Sequence, residues 1–259
     1  MSTNIKFFDK NLVGAGCTFT FTSANTALSR YLYDRDTRTR LTSIGSNDTT
    51  DEDLIIEFGS SVTFDRILID NHNIKSGYIK YWNGAAYVDF TSAISWSANA
   101  TTVNYYEVSS VTTTKIKVHM VTTMATNDEK RVGGLFVMNQ LGELTGNPNS
   151  LTDIDFKEAS NKQKTANGGS LYIFFNKKFT CKLEFGNAGS TDITLIETLK
   201  NNAASFFVYL GGGSTSNIDI GMRVQDIYYV NFTGSFNPNL KNQNVNNIGQ
   251  KLTMVLEEV

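Results

Sequence analysis

The chain has 259 residues, with 23 Lys+Arg against 25 Asp+Glu and a formal net charge of −2. It carries 20 Gly, 2 Pro, 2 Cys and 2 His, with 40% hydrophobic and 12% aromatic residues. Near-neutral charge supplies no basic footprint for nucleic acid, two cysteines make no disulfide framework, and two histidines leave little material for zinc or Ser-His chemistry.

The first residues, Met1 to Lys10, hold no apolar core followed by a small-residue cleavage site. No secretory signal is predicted, and synthesis in a cytoplasm is expected. No apolar run approaches the about 20 residues that span a bilayer, so no membrane partner is expected.

Strand periodicity dominates the chain from Leu54 to Met138. Leu54–Phe58 and Val62–Asp70 read as two strands parted by the turn signal Gly59-Ser60. Tyr78–Trp82, Tyr105–Val108 and Val111–Val121 come next, with Ser76-Gly77 and Asn83-Gly84 as turns. Within Val111–Val121, Ile116, Val118 and Met120 alternate with Lys115, Lys117 and His119, which puts one side on a core and the other in water. Leu135–Met138 closes the series. Short strands at this spacing predict a sandwich, a jelly roll or a barrel.

A boundary is expected in the turn-rich stretch Gly142–Ser150, dividing a domain of residues 1–145 from one of 146–259. Six of the seven arginines precede it. In the second half, Leu171–Phe175 and Phe179–Phe185 read as a hairpin around Asn176-Lys177-Lys178. Ser190 and Asp192 are candidate caps for a helix in which Ile193, Leu195, Ile196 and Leu199 recur at helical spacing. Strands come after it at Phe206–Leu210, Val224–Phe232 and Leu252–Leu256. Gly211-Gly212-Gly213 lacks the Gly-Lys-Ser/Thr of a phosphate loop and reads as a connection between strands.

Two clusters could carry chemistry. Asp34, Asp36 and the Thr39 hydroxyl stand at alternating positions of a polar turn and could supply hard oxygen ligands to a calcium ion. The plainer reading is a solvated loop in which Asp and Thr bond their own backbone, and Arg35, Arg38 and Arg40 lower the negative potential a divalent ion needs. Aromatic residues concentrate at Tyr78, Tyr81, Trp82, Trp96, Tyr105 and Tyr106. Tyr81, Trp82 and Trp96 are the candidate sugar-binding platforms, against core packing as the plainer role. Tyr81 and Trp82 are adjacent on a strand and face opposite ways. No Gly-x-Ser-x-Gly or His-Glu-x-x-His pattern occurs, His72 and His119 lie apart, and no enzymatic activity is expected.

The order of Ala27–Thr39, Leu54–Phe58, Phe64–Asn73, Ile79–Gly84 and Val111–Val118 resembles the discoidin or coagulation-factor type C family over about residues 20–140. The resemblance implies a galactose-binding-like, eight-stranded jelly roll that binds sugar, lipid or protein. It also implies a structural calcium, with two departures: Leu41 replaces an aromatic, and Gly133-Gly134 follows Arg131-Val132 where many members have a Glu. The arrangement of a discoidin-like module beside a β-rich domain with one helix resembles phage tail and baseplate proteins, distal tail proteins among them. That resemblance implies a non-enzymatic virion component that assembles through its second domain with copies of itself and other tail proteins. The alternative expectation is a stand-alone carbohydrate-binding protein for a cell-surface glycan.

Overall fold

The computed structural model describes residues 5–24, 26–35, 38–45, 48–145, 150–164, 170–185, 189–202, 205–209, 227–233 and 252–258. Of residues 26, 150–164, 170–179, 184–185, 227, 252–253 and 258 the backbone alone is described. The protein is mainly β, a sandwich of curled antiparallel sheets with few helices. In chain order the first strands are β1 (Lys6–Phe8), β2 (Thr18–Phe21), β3 (Leu41–Thr42), β4 (Glu52–Asp70), β5 (Ile74–Trp82) and β6 (Tyr87–Val88). Next come β7 (Ile94–Trp96), β8 (Asn104–Thr123), β9 (Arg131–Val132), β10 (Gly134–Met138) and β11 (Gln140–Glu143). The last are β12 (Ser150–Lys164), β13 (Ser170–Phe185), α1 (Ser190–Asn201), β14 (Phe206–Tyr209), β15 (Ile227–Phe232) and β16 (Leu252–Glu258).

The described residues divide into two compact units, one of Phe8–Gln140, the other of residues 5–7, 141–209 and 227–258. The N-terminal segment joins the second unit.

In the Phe8–Gln140 unit the sheet runs β10-β4-β8-β5-β6, with β2 added on β4 and β7 on β5. The two strands expected at 54–58 and 62–70 are one continuous strand, β4, and those expected at 105–108 and 111–121 are one strand, β8. The turn signals there become bulges, because β4 and β8 pair along almost their whole length. Their register shifts between Glu57 and Val62 and between Phe64 and Arg66. The first half of β4 pairs with β2 and with residues 115–120 of β8; its second half pairs with β10 and residues 104–107. One bent strand pair therefore feeds both layers, and Leu54, Ile56 and Ile116 pack with Ile67, Ile69 and Val137 in one buried cluster.

Two glycines behave differently from each other. Gly84 takes φ +102° in the β5–β6 turn, as its Asn-Gly sequence predicts, and the Asn83 side chain accepts hydrogen bonds from the Ala85 and Ala86 N–H groups. Gly77, expected in a turn, sits inside β5. A Cβ there would come within 2.4 Å of the His119 carbonyl oxygen and 2.8 Å of the Trp96 ring. The position requires glycine for close approach rather than for turning.

The second unit is a sheet of order β11-β1-β14-β15-β16-β13-β12 with α1. Strand β14 pairs antiparallel with β15: Phe206 lies opposite Val230 and Tyr209 opposite Ile227. Phe206, Val208 and Val230 join the buried cluster under α1, while Phe207 is buried on the other side beside Tyr229, ring centroids 4.7 Å apart. The expected hairpin at 176–178 is absent. β13 runs straight through it, with Lys177 opposite Glu158 and Lys178 opposite Lys157, and its hairpin partner is β12. Gly211-Gly212-Gly213 and residues 224–226 lie outside the described residues.

Helix α1 begins at Gly189 with no side-chain cap. The Asp192 carboxylate, expected as a cap, is buried and accepts from the Thr145 N–H at 2.8 Å and from its hydroxyl at 2.9 and 3.0 Å. Its place in the first turn still favours the positive end of the helix dipole.

Candidate functional site

Pairing of β4, β8, β5 and β6 sorts their side chains by alternation. Leu54, Ile56, Ile116, Val118 and Ile79 point to the core, so their neighbours in sequence form the outer face. On that face Asp53 lies opposite His119 and His119 opposite Tyr78; Lys117 lies opposite Lys80; Glu57 lies opposite Lys115; and Trp82 lies opposite Tyr87. The result is a surface of aromatic rings and paired charges built from four strands.

The contacts interlock. Tyr78 stacks on His119, centroids 4.4 Å apart with 20° between ring planes. His119 Nδ1 is 2.7 Å from Asp53 Oδ1 and its Nε2 is 3.5 Å from Asp51 Oδ2. Lys117 Nζ donates to Asp53 Oδ2 at 3.4 Å and stands 5.2 Å from the Tyr87 ring centroid. Lys80 Nζ is 3.5 Å from Asp89 and 5.1 Å from the Tyr78 centroid; Lys115 Nζ is 3.0 Å from Glu57. Trp82 and Tyr87 meet edge to face at 5.2 Å. Burial pushes the Tyr87 phenol up, partly offset by Lys115. Each exposed ion pair contributes little to stability, about 0–1 kcal/mol, so the arrangement matters more as a presented surface than as a brace.

The three aromatic residues singled out in the sequence do not converge. Trp82 belongs to the outer face. Tyr81 packs against the core with Phe90, centroids 5.0 Å apart. Trp96 also packs on the core, stacked 6.0 Å from Tyr106 and tilted 6.5 Å from His72. His72 is buried, its Nδ1 accepts from the Ile74 N–H at 3.1 Å, and desolvation lowers its pKa to about 4. This histidine is a neutral structural group.

Of the candidate calcium ligands, Asp36 lies outside the described residues. The Thr39 hydroxyl donates to Asp34 Oδ2 at 2.8 Å, so these two oxygens serve each other. Gly133 packs against Asn71 and supplies no carboxylate from the closing strand. Among the described residues no three His, Cys, Asp or Glu side chains are grouped to hold a metal ion.

Sequence reasoning passed over Asp53, Lys80, Tyr87, Lys117 and His119 as site residues. The alternation at 115–120 placed Lys117 and His119 in water, and the same reading of β5 places Lys80 and Trp82 beside them. What it lacked was the pairing that brings Asp53 and Tyr87 to the same face.

No protein-family model and no curated protein matches the chain. Among solved structures, chitosan-binding module 1 of a Paenibacillus sp. IK-5 chitosanase/glucanase aligns over 49% of this chain and 98% of its own, at 19% identity and TM-score 0.41. A Clostridium perfringens module, CpGH89CBM32-5, in complex with GalNAc-β-1,3-galactose aligns over 49% of this chain and 99% of its own, at 14% identity and TM-score 0.41. A Ruminococcus gnavus GH29 fucosidase in complex with fucose aligns over 51% of this chain but only 27% of its own, at 16% identity and TM-score 0.40. Each is a likeness of fold.

Proposed function

We propose that the Phe8–Gln140 unit is a non-enzymatic glycan-binding module whose ligand lies on the outer face of β4, β8, β5 and β6. The observation that carries the reading is Trp82, turned away from the core and set edge to face on Tyr87 beside Lys115 and Lys117. A sugar offers an apolar C–H side that packs on an aromatic ring, and hydroxyls that need donors and acceptors together. This face presents both within one surface. Neither cysteine is poised as a nucleophile: Cys181 is buried with its thiol pushed up to about 12, and the Cys17 thiol is also raised by burial. A glycan array probed with the full chain tests the reading. Saturable binding that weakens at least tenfold in Trp82→Ala, with the melting temperature preserved, supports it; binding to no glycan overturns it.

One observation in the other unit favours a second reading. Strand β12, 15 residues long, ends the sheet order and pairs on one side only among the described residues. A long strand edge is a template for another strand. A phage tail or baseplate component would use such an edge to assemble with copies of itself and neighbouring tail proteins. Light scattering at micromolar concentration checks it: a defined oligomer supports assembly, and a monomer at all concentrations removes it.

A further inference from the structure

We infer that the glycan held by this face is an uncharged, linear polysaccharide gripped along an internal stretch of its chain; the inference rests on the glycan-binding reading above. Charge pairing carries the first half. Each lysine of the face already stands within 4 Å of a carboxylate: Lys80 by Asp89 at 3.5 Å, Lys115 by Glu57 at 3.0 Å, Lys117 by Asp53 at 3.4 Å. His119 lies between two more carboxylate oxygens. An anionic sugar would bring a second negative charge beside the carboxylate at each lysine, and a cationic sugar a second positive charge beside the ammonium at each carboxylate, so like-charge repulsion offsets the attraction. A neutral hydroxyl meets no such penalty, since a paired ammonium still has N–H groups to donate and its carboxylate has lone pairs to accept.

Shape carries the second half. The residues stand on four adjacent strands, so the platform spans three strand spacings, about 14 Å from β6 to β4. That is wider than one pyranose ring. The aromatic residues lie at two places on it, Trp82 with Tyr87 on one row and Tyr78 on another, rather than around a single point. A sheet surface of this kind matches consecutive sugars of a chain, not a chain end enclosed in a pit.

Affinity electrophoresis of the full chain through gels containing hydroxyethylcellulose, xylan, galactomannan, polygalacturonate or chitosan tests the inference, with free monosaccharides as competitors. The expected result is retardation by a neutral polymer, with Kd changing less than twofold between 50 and 500 mM NaCl. Monosaccharide should compete at least a hundredfold more weakly. Trp82→Ala should weaken binding tenfold or more and Trp82→Phe less than tenfold, both variants being checked for unchanged melting. Preferential retardation by polygalacturonate or chitosan that fades with salt overturns the charge argument and leaves glycan binding standing. Monosaccharide competing as well as polymer overturns the extended mode. No retardation by any polymer, together with no binding on the array, overturns the glycan reading itself.

Discussion

Tyr78 lies flat on His119, ring centroids 4.4 Å apart with 20° between planes, while Asp53 holds the far side of the imidazole at 2.7 Å. The pair ties β5 to β8 on the outer face, at a register where the two residues stand directly opposite. Stacked aromatic pairs couple by about 0.5–1.5 kcal/mol beyond their buried area. A double-mutant cycle with Tyr78→Ala and His119→Ala should give a coupling in that range by denaturant unfolding. A coupling near zero would mean that the stack is incidental.

His72 should make stability fall with acidification. Its pKa is lowered to about 4 in the fold by desolvation, against a value of about 6.5 in an unfolded chain. Between those values the unfolded state binds the extra proton. The contribution is therefore complete above about pH 6.5 and is lost as pH falls towards 4. The loss is on the order of 3 kcal/mol. Replacing His72 with Gln should flatten this part of the pH–stability curve, measured by urea midpoints; an unchanged slope would place the sensitivity elsewhere.

The two glycines of the β5 region should separate by mechanism. Gly77→Ala drives a methyl against a backbone carbonyl and an indole ring that are both fixed, so a loss of about 1–3 kcal/mol is expected. Gly84→Ala meets open space but holds φ at +102°, and about 1–2 kcal/mol of backbone strain is expected. Gly84→Asn should recover part of the latter, because Asn tolerates positive φ, whereas no side chain rescues position 77. Rescue at 77 by any residue would refute the close-approach account.

These positions mark how far the sequence was legible. The alternation of Ile116, Val118 and Met120 with Lys115, Lys117 and His119 placed core and surface correctly, because one buried side imposes period two. The Asn83-Gly84 turn was legible because its backbone demand is local. The breaks expected at 59–60, 76–77 and 176–178 failed for the opposite reason: long-range pairing of β4 with β8, of β8 with β5, and of β12 with β13 overrides a local turn signal. Asp192 failed as a cap because Thr145, distant in sequence, captures its carboxylate. The site was half legible. Trp82 could be named, but Tyr87 and Asp53 join it only through the sheet register.

Chelation should leave the fold untouched. The Thr39 hydroxyl is bonded to Asp34, and Gly133 brings no carboxylate to the turn. Melting curves with EDTA and with millimolar calcium should coincide within about 1 °C, since even a ligand at a hundred times its Kd would add about 2.7 kcal/mol and shift the curve visibly. A calcium-dependent rise would show that the turn with Asp36 completes a site.

The chain has two tryptophans, and they stand on opposite sides of the sheet: Trp82 on the outer face, Trp96 against the core. Fluorescence titration of the single-tryptophan variants Trp96→Phe and Trp82→Phe with the neutral polysaccharide that retards the chain most strongly is therefore the most direct measurement. The account predicts a saturable change in Trp96→Phe, where Trp82 alone reports, and none in Trp82→Phe. A change that follows Trp96, or binding that perturbs neither tryptophan, would contradict a ligand on the outer face.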